Sequence, residues 1–330
     1  MIPIVVVIPT FNRPELLRVA LQSVDKQTAK VSICRVIVSE NGLNPNSELV
    51  CNEFTDLPIT YVLQQPQLPV LAHIKWLFSQ EQQGGYVAML CDDDWWNSYH
   101  IELAIRGLEQ HPMCIGYFSN FVYMDDETSL KPQIYAGSKA LSIGQPNFSN
   151  ADINIYQQEE MLILSVLVTA FHFSAMVCEG KTLSQAAEIF DIAHPTYADR
   201  ILWAVLSTYG ELLFHPLSTS IVRLHEERDS RNYSSQEWKI QAQEGSLRIL
   251  ALAESQGYAI KEKINSLYAS CTPKDAEFML NQLSTIFVNK EKLRWFAGYN
   301  TIMEQTLQAE RYRRSTRAVV GRLVRRIING

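Results

Sequence analysis

Tyr86-Val87-Ala88-Met89-Leu90-Cys91-Asp92-Asp93-Asp94-Trp95-Trp96 is the stretch on which the reading of this chain turns. Five mostly apolar residues run straight into three consecutive carboxylates. A short apolar run that follows Gly84-Gly85 reads as a buried strand. Aspartate is a poor strand residue, so the acids belong where the strand stops. In an open α/β sheet, ligands bind at the carboxyl ends of the strands. Three adjacent like charges repel one another, and a fold that gathers them there needs a cation. Hard divalent ions such as Mg2+ and Mn2+ take oxygen ligands, commonly one or two carboxylates plus substrate phosphates. The run therefore predicts a metal–diphosphate site at a strand end. The competing explanation is a solvated acidic turn.

Upstream, the chain alternates strand and helix. Ile4-Val5-Val6-Val7-Ile8 is a continuous β-branched run, suited to a parallel strand covered on both faces. Pro9-Thr10-Phe11-Asn12-Arg13 breaks it. Leu16, Leu17, Ala20, Leu21 and Val24 then recur at helical spacing, with Pro14 at the start. Val31–Ser39 reads as a second strand, ending in Glu40-Asn41-Gly42. Helices are expected over 47–54 and 70–78, with a third strand over 59–63. Four β–α alternations in a hundred residues point to an α/β fold with a parallel sheet between helices. Neither G-x-G-x-x-G nor G-x-x-x-x-G-K-[ST] is present, which argues against dinucleotide enzymes and P-loop NTPases.

Three elements in this order carry a family resemblance. They are Ile8-Pro9-Thr10-Phe11-Asn12-Arg13, Val38-Ser39-Glu40-Asn41-Gly42 and Asp92-Asp93-Asp94-Trp95-Trp96. Together they resemble the family 2 inverting glycosyltransferases, whose fold is GT-A, over about residues 3–227. The resemblance implies that Pro9, Thr10, Asn12 and Arg13 line a nucleoside pocket. It implies that Glu40 accepts the imide N–H of a pyrimidine or guanine base. It makes Asp94 the metal ligand and places Asp92 on the ribose or beside the ion, with Asp93 able to exchange roles with either. The implied cofactor is Mn2+ or Mg2+. The implied donor is a nucleotide-diphosphate sugar, a UDP-sugar first, with GDP- or dTDP-sugars as alternatives.

Downstream, helices are expected over 99–110, 158–170 and 182–190, and strands over 115–123, 171–177, 211–214 and 220–224. Residues 131–155 are rich in Pro, Gly, Ser and Asn and read as a lid. Asp199 opens an amphipathic helix. An acid there complements the helix dipole, but the position also matches the catalytic base of the family. Ala198 stands where relatives often carry a first acid, so Asp199 is the candidate. Inverting transfer needs such a group, because the attacking hydroxyl must lose its proton. Ile221-Val222-Arg223-Leu224-His225 resembles the family's terminal Y-R-x-H element. It implies phosphate contacts from Arg223 and His225, with His225 near the metal.

The rest of the chain is bounded by composition. It has 330 residues, 47% hydrophobic and 19% charged, and a net charge of −6. That composition suits a globular protein, and the acidic body argues against nucleic acid as a partner. The six cysteines form no C-x-x-C pair and read as buried free thiols of a reducing compartment. No secretory leader or run of about 18 apolar residues is visible. A transferase domain over 1–230 and an all-helical extension over 231–330 are expected. Arg311, Arg313, Arg314, Arg317, Arg322, Arg325 and Arg326 line one side of an amphipathic end, 311–330, that suits an anionic membrane surface. The expected enzyme is a cytoplasmic hexosyltransferase, peripheral on the inner face of the membrane, with a glycan or lipid-linked acceptor in surface polysaccharide assembly. The alternative is a non-catalytic nucleotide-sugar or carbohydrate-binding protein on the same fold.

Overall fold

The β-branched run is the central strand of the nucleotide half. β1 (Ile4–Thr10) pairs in parallel with β2 (Ile33–Glu40) on one side and β4 (Tyr86–Met89) on the other. Its residues Ile4 to Ile8 are almost wholly buried. Each such side chain contributes about 1.5–3 kcal/mol on leaving water. The computed structural model describes residues 2–81, 83–125, 130–131, 152–169, 171–224 and 234–270.

β3 (Ile59–Leu63) extends the parallel set beyond β2. The helices between these strands are α1 (Pro14–Asp25), α2 (Asn46–Asn52) and α3 (Val70–Phe78). α1 starts at Pro14 and buries Leu17, Ala20, Leu21 and Val24, the face its spacing predicts. The sheet continues past β4 in a mixed arrangement. Its order is β3-β2-β1-β4-β9-β6-β10-β5. The added members are β5 (Trp95–Trp96), β6 (Cys114–Asp125), β9 (Met176–Glu179) and β10 (Glu211–Leu224). β7 (Leu130–Lys131) pairs with β6, and β8 (Asn154–Tyr156) pairs with β10. β9 runs antiparallel to β4 and β6, whereas β10 runs parallel to β6.

The topology fixes where a ligand goes. β2 and β3 lie on one side of β1, and β4 lies on the other. The loops after β1 and β4 therefore diverge at a topological switch point, where open α/β sheets bind ligands. Pro9–Arg13 and Cys91–Asp94 are those two loops.

Several elements differ from expectation for local reasons. β2 begins at Ile33 because Lys30–Ser32 forms a 3-10 turn. The strand expected from Phe171 begins only at Met176, because the His172 side chain accepts the Ser174 N–H and holds 173–175 in a 3-10 turn. The two strands expected over 211–224 are one, β10, with irregular register between His215 and Ser220. Pro216 has no N–H for the ladder there. The helix expected over 158–170 is α5 (Gln158–Leu167), and that over 182–190 is α6 (Gly180–Ala186) followed by a 3-10 stretch to Asp191. α4 (His100–Gln110) and α7 (Ala198–Leu206) lie where predicted.

α8 (Ser235–Ser255) starts at Ser235 because Ser234 and Glu237 form a reciprocal capping box. It packs on α5 and α7. The chain groups into two compact units, Met1–Ile260 and Lys261–Gly330. α8 belongs to the first. The second is described only through the helix Ile260–Ser270. The expected lid is described only from 152 on, and the basic end 311–330 lies outside the described residues. Cys51, Cys114 and Cys178 are buried free thiols, whereas Cys34 is exposed and Cys91 half-buried, contrary to a uniformly buried set. Among the described residues no helix is long and apolar enough to cross a membrane.

Candidate active site

The β4 ladder ends at Leu90, whose N–H donates to Val7 O. The chain then turns, with Asp94 N–H donating to Cys91 O at 3.1 Å. This turn separates the three acids. Asp92 points toward the loop after β1: its Oδ2 accepts the Thr10 hydroxyl at 2.8 Å, and its Oδ1 lies 3.6 Å from the Arg13 guanidinium. Asp93 faces the same guanidinium at 3.4 Å. Asp94 is 2% exposed and points the other way. Its Oδ2 accepts the Ser174 hydroxyl at 2.5 Å, and its Oδ1 accepts the Arg223 backbone N–H at 3.0 Å. Burial, followed by the charge of Asp93, pushes Asp92 up to about 7 and Asp94 well above the usual carboxylate range.

Arg13 thus supplies part of the positive charge that the acidic run demands. Arg223 supplies more. Its Nε donates to the Asp93 carbonyl at 3.3 Å, and its guanidinium lies 5.0 Å from the centre of the Trp95 ring. β10 carries Arg223 there by pairing Ser220 and Ile221 with Trp96 and Trp95 of β5.

Ser174 and His172 are site residues that the sequence reading did not single out. Ser174 is fully buried and binds both Asp94 and the Cys91 N–H. His172 Nδ1 lies 3.7 Å from Asp94 Oδ2 but accepts the Ser174 N–H, so that nitrogen carries a lone pair toward the turn. No motif marks either residue. Both fall within the strand expected over 171–177, where a polar residue among apolar ones carries no signal of its own.

The Glu40 carboxylate is fully buried and takes three donors of the protein. They are Asn12 N–H at 3.0 Å, Gly42 N–H at 2.7 Å and the Ser47 hydroxyl at 2.5 Å. Glu40 therefore joins the loops after β1 and β2, and one of its roughly four lone-pair sites is left over. Asn12 completes the clamp from a left-handed backbone (φ 56°), its Oδ1 accepting the Leu43 N–H at 2.9 Å. A Cβ on Gly42 would stand 2.3 Å from that oxygen, so only glycine fits. The adjacent Asn41 makes a two-way amide contact with Leu68, 2.8 Å in each direction, and so fixes the chain over 64–69.

These loops border a cleft of about 540 Å³. Pro9, Thr10, Arg13, Asp92 and Asp93 line it, and so does Cys91. His73 lines it too. Its Nε2 meets Ser39 Oγ at 2.8 Å, and burial pulls its pKa down to about 4, so the ring is neutral. Pro195 and Ala198 close the cleft at the start of α7. Asp199 is the next residue. Its Oδ1 accepts the Arg200 N–H at 2.7 Å, and its apolar surroundings push its pKa up to about 6. Arg200 is buried and donates to Ser165 O, Val166 O and Ser246 Oγ, which ties the head of α7 to α5 and α8. His225 lies outside the described residues.

The donor set fits a divalent cation. Oxygens of Asp93 and Asp94 lie within 4.8 Å of each other and of Cys91 Sγ. Asp94 has two lone-pair sites left after its two hydrogen bonds. Asp92, expected on the ribose or beside the ion, is held by Thr10 and Arg13. Asp94, buried and held above the ordinary carboxylate range, has unspent affinity for positive charge.

Comparison with known proteins gives a family. The description "Glycosyl transferase family 2" matches residues 5–176, just over half of the chain. The chain belongs to glycosyltransferase family 2. No curated protein matches it in sequence. Among solved structures, S. aureus TarS 1–349 in complex with UDP-GlcNAc aligns at 13% identity and a TM-score of 0.57, over 90% of this chain and 79% of that one. S. aureus TarS 1–349 without that ligand aligns at 11% identity and 0.52, over 93% and 92%. This family 2 glycosyltransferase spans 37% of a longer S. aureus TarS chain (12% identity, TM-score 0.48). Identities at this level show the fold, and the fold is GT-A. The family region ends at 176, so Asp199 and Arg223 of this glycosyltransferase lie beyond it.

Proposed function

We propose that this glycosyltransferase moves a hexose from a nucleotide-diphosphate sugar to an acceptor hydroxyl with inversion. The observation that carries the proposal is the grouping of Arg13, Asp93, Asp94 and Arg223 about the turn after β4, beside a cleft that Arg13 and Asp93 line. Two carboxylates with two flanking guanidiniums suit a metal-bound diphosphate. The TarS relative is described in complex with UDP-GlcNAc, which favours a UDP-sugar over GDP- or dTDP-sugars. Pro9 and Thr10 border the nucleoside end, and Arg13 and Arg223 face the phosphates. His225 is proposed beside them from the sequence resemblance alone.

Asp93 and Asp94 are the proposed holders of Mn2+ or Mg2+. Bound there, the ion supplies Lewis-acid stabilisation of the charge on the departing diphosphate. Asp199 is the proposed base. The acceptor oxygen bonds to the anomeric carbon as the bond from that carbon to the phosphate oxygen breaks. The acceptor proton passes to Asp199 Oδ2, and the nucleoside diphosphate leaves. A carboxylate raised to about 6 is better matched to accepting a hydroxyl proton near neutral pH than an ordinary one.

Residues 1–230 are the proposed transferase domain and 231–330 the helical extension. The basic end 311–330 is proposed to hold the enzyme on the inner, anionic face of the cytoplasmic membrane, where a glycan or lipid-linked acceptor of surface polysaccharide is presented. The test is a thermal-shift series with UDP and UDP-sugars, with and without Mn2+. Ligands that bind only the folded state raise its stability. Metal-dependent stabilisation that disappears in Asp94→Asn supports the reading. Stabilisation that is indifferent to the metal overturns it.

A further inference from the structure

The cleft presents a sulfur atom beside its carboxylates. Cys91 Sγ and one oxygen each from Asp93 and Asp94 lie within 4.8 Å of one another. A single ion holds sulfur at about 2.3 Å and oxygen at about 2.0–2.2 Å. Two ligands of one tetrahedral ion then stand about 3.5 Å apart, inside that bound.

The backbone holds the three residues as a unit. Cys91 N–H donates to Ser174 Oγ at 3.0 Å, and the same hydroxyl donates to Asp94 Oδ2 at 2.5 Å. Asp94 N–H returns to Cys91 O at 3.1 Å. One buried serine thus fixes residues 91 and 94 relative to each other. Cys91 is among the residues that line the cleft. None of the other described cysteines borders the cleft.

We propose that Cys91 is a third protein ligand of the cation site, beside Asp93 and Asp94. The inference rests on the reading of the cleft as a metal-assisted donor site. Oxygen donors alone suit Mg2+ and Mn2+, whereas a thiolate shifts the preference toward softer ions. The mixed set therefore favours Co2+ and Zn2+ over Mg2+, with Mn2+ between. Coordination breaks the S–H bond and forms an S–metal bond. The proton leaves to solvent, and no electron changes hands.

The test is titration of the full chain with Co2+ in the absence of nucleotide, read by near-ultraviolet absorption. Sulfur-to-cobalt charge transfer should appear at saturation. It should vanish in Cys91→Ser and persist in Cys34→Ser and Cys271→Ser. Zn2+ affinity should fall in Cys91→Ser by at least the ~10-fold that a lost outer partner alone costs, with Mg2+ affinity unchanged. Should Cys91→Ser fail to fold, the wild-type chain still decides. Zn2+ should shield Cys91 from alkylation where Mg2+ does not, as mapped by mass spectrometry. Cobalt binding without the band, a band that survives in Cys91→Ser, no cobalt binding, or equal alkylation under both ions overturns the proposal. UDP binding separates the two ideas. Binding of UDP with Mg2+ but no sulfur band defeats the thiol ligand alone. A sulfur band without UDP binding under any ion defeats the transferase reading alone.

Discussion

The Arg223 backbone N–H donates to Asp94 Oδ1 at 3.0 Å, joining residues 129 positions apart. The main chain of Arg223 therefore positions the acid, while its side chain lies over Trp95 and donates to the Asp93 carbonyl. Arg223→Ala separates these roles. The fold should stand, because the N–H remains. A charge-assisted hydrogen bond is worth about 1.5–3 kcal/mol, so kcat/KM for the donor should fall about 10- to 100-fold. Steady-state kinetics with UDP calorimetry checks this, and unchanged donor affinity would remove Arg223 from the phosphate site.

Asp199 gives the pH dependence. Its pKa is raised from 3.8 to about 6 by burial, so the folded chain binds the proton more tightly than the unfolded one. Between those values stability should fall as pH rises, and the cost is fully present above about 6. Activity runs the opposite way, because only the deprotonated acid accepts a proton. The kcat/KM profile should climb through about pH 6. Asp199→Asn should lose about 100- to 10,000-fold in rate while keeping donor binding. It should be no less stable at pH 7 than the wild type, since it carries no buried charge. A flat pH profile with retained turnover in the variant excludes Asp199 as the base.

Glu40 separates architecture from recognition. Glu40→Ala strands three buried donors, each worth about 1–3 kcal/mol when unsatisfied, so strong destabilisation is expected. Glu40→Gln keeps an acceptor for the two N–H groups and offers its amide to Ser47. Denaturant unfolding should show a smaller loss for this variant, and its preference among UDP, GDP and dTDP should match the wild type. A change in base preference would place Glu40 in the nucleoside pocket.

Gly245 is a remote test of how α7 is placed. A Cβ there would stand 2.7 Å from Tyr197 Cγ, and Tyr197 is fully buried just ahead of Ala198 and Asp199. Gly245→Ala should cost about 1–3 kcal/mol by overpacking. It should also lower kcat more than it alters metal affinity. Thermal melts paired with Mn2+ titration check both, and an unaltered melting temperature would show that α8 does not constrain this corner.

Patterning made the nucleotide half legible. The run Ile4–Ile8, the Pro14 start of α1 and the apolar lead into Asp92 each combine composition with position, and the GT-A assignment followed from their order. The later half was harder to read. His172 and Ser174 act through caps and hydrogen bonds that join residues about 80 positions apart, and no local spacing encodes that. Two strands are expected over 211–214 and 220–224, but the sheet runs through Pro216 as one strand with a register irregularity. The acids were legible as a run, but their separate directions were not. Asp92 turns toward Thr10 and Arg13, and only the turn after Leu90 brings oxygens of Asp93 and Asp94 together. The three donors to Glu40, two backbone amides and a serine of its own chain, follow no local spacing either.

The clamp on Asp94 also sets how much polypeptide the chemistry requires. A fragment ending at 176 would contain every residue of the family region and all three acids. It would lack the amide that holds Asp94 from the far strand, and with it Trp95's cationic companion. Such a fragment would carry the motif without its geometry. The shortest piece that holds Asp94 as the whole protein does must reach at least Arg223.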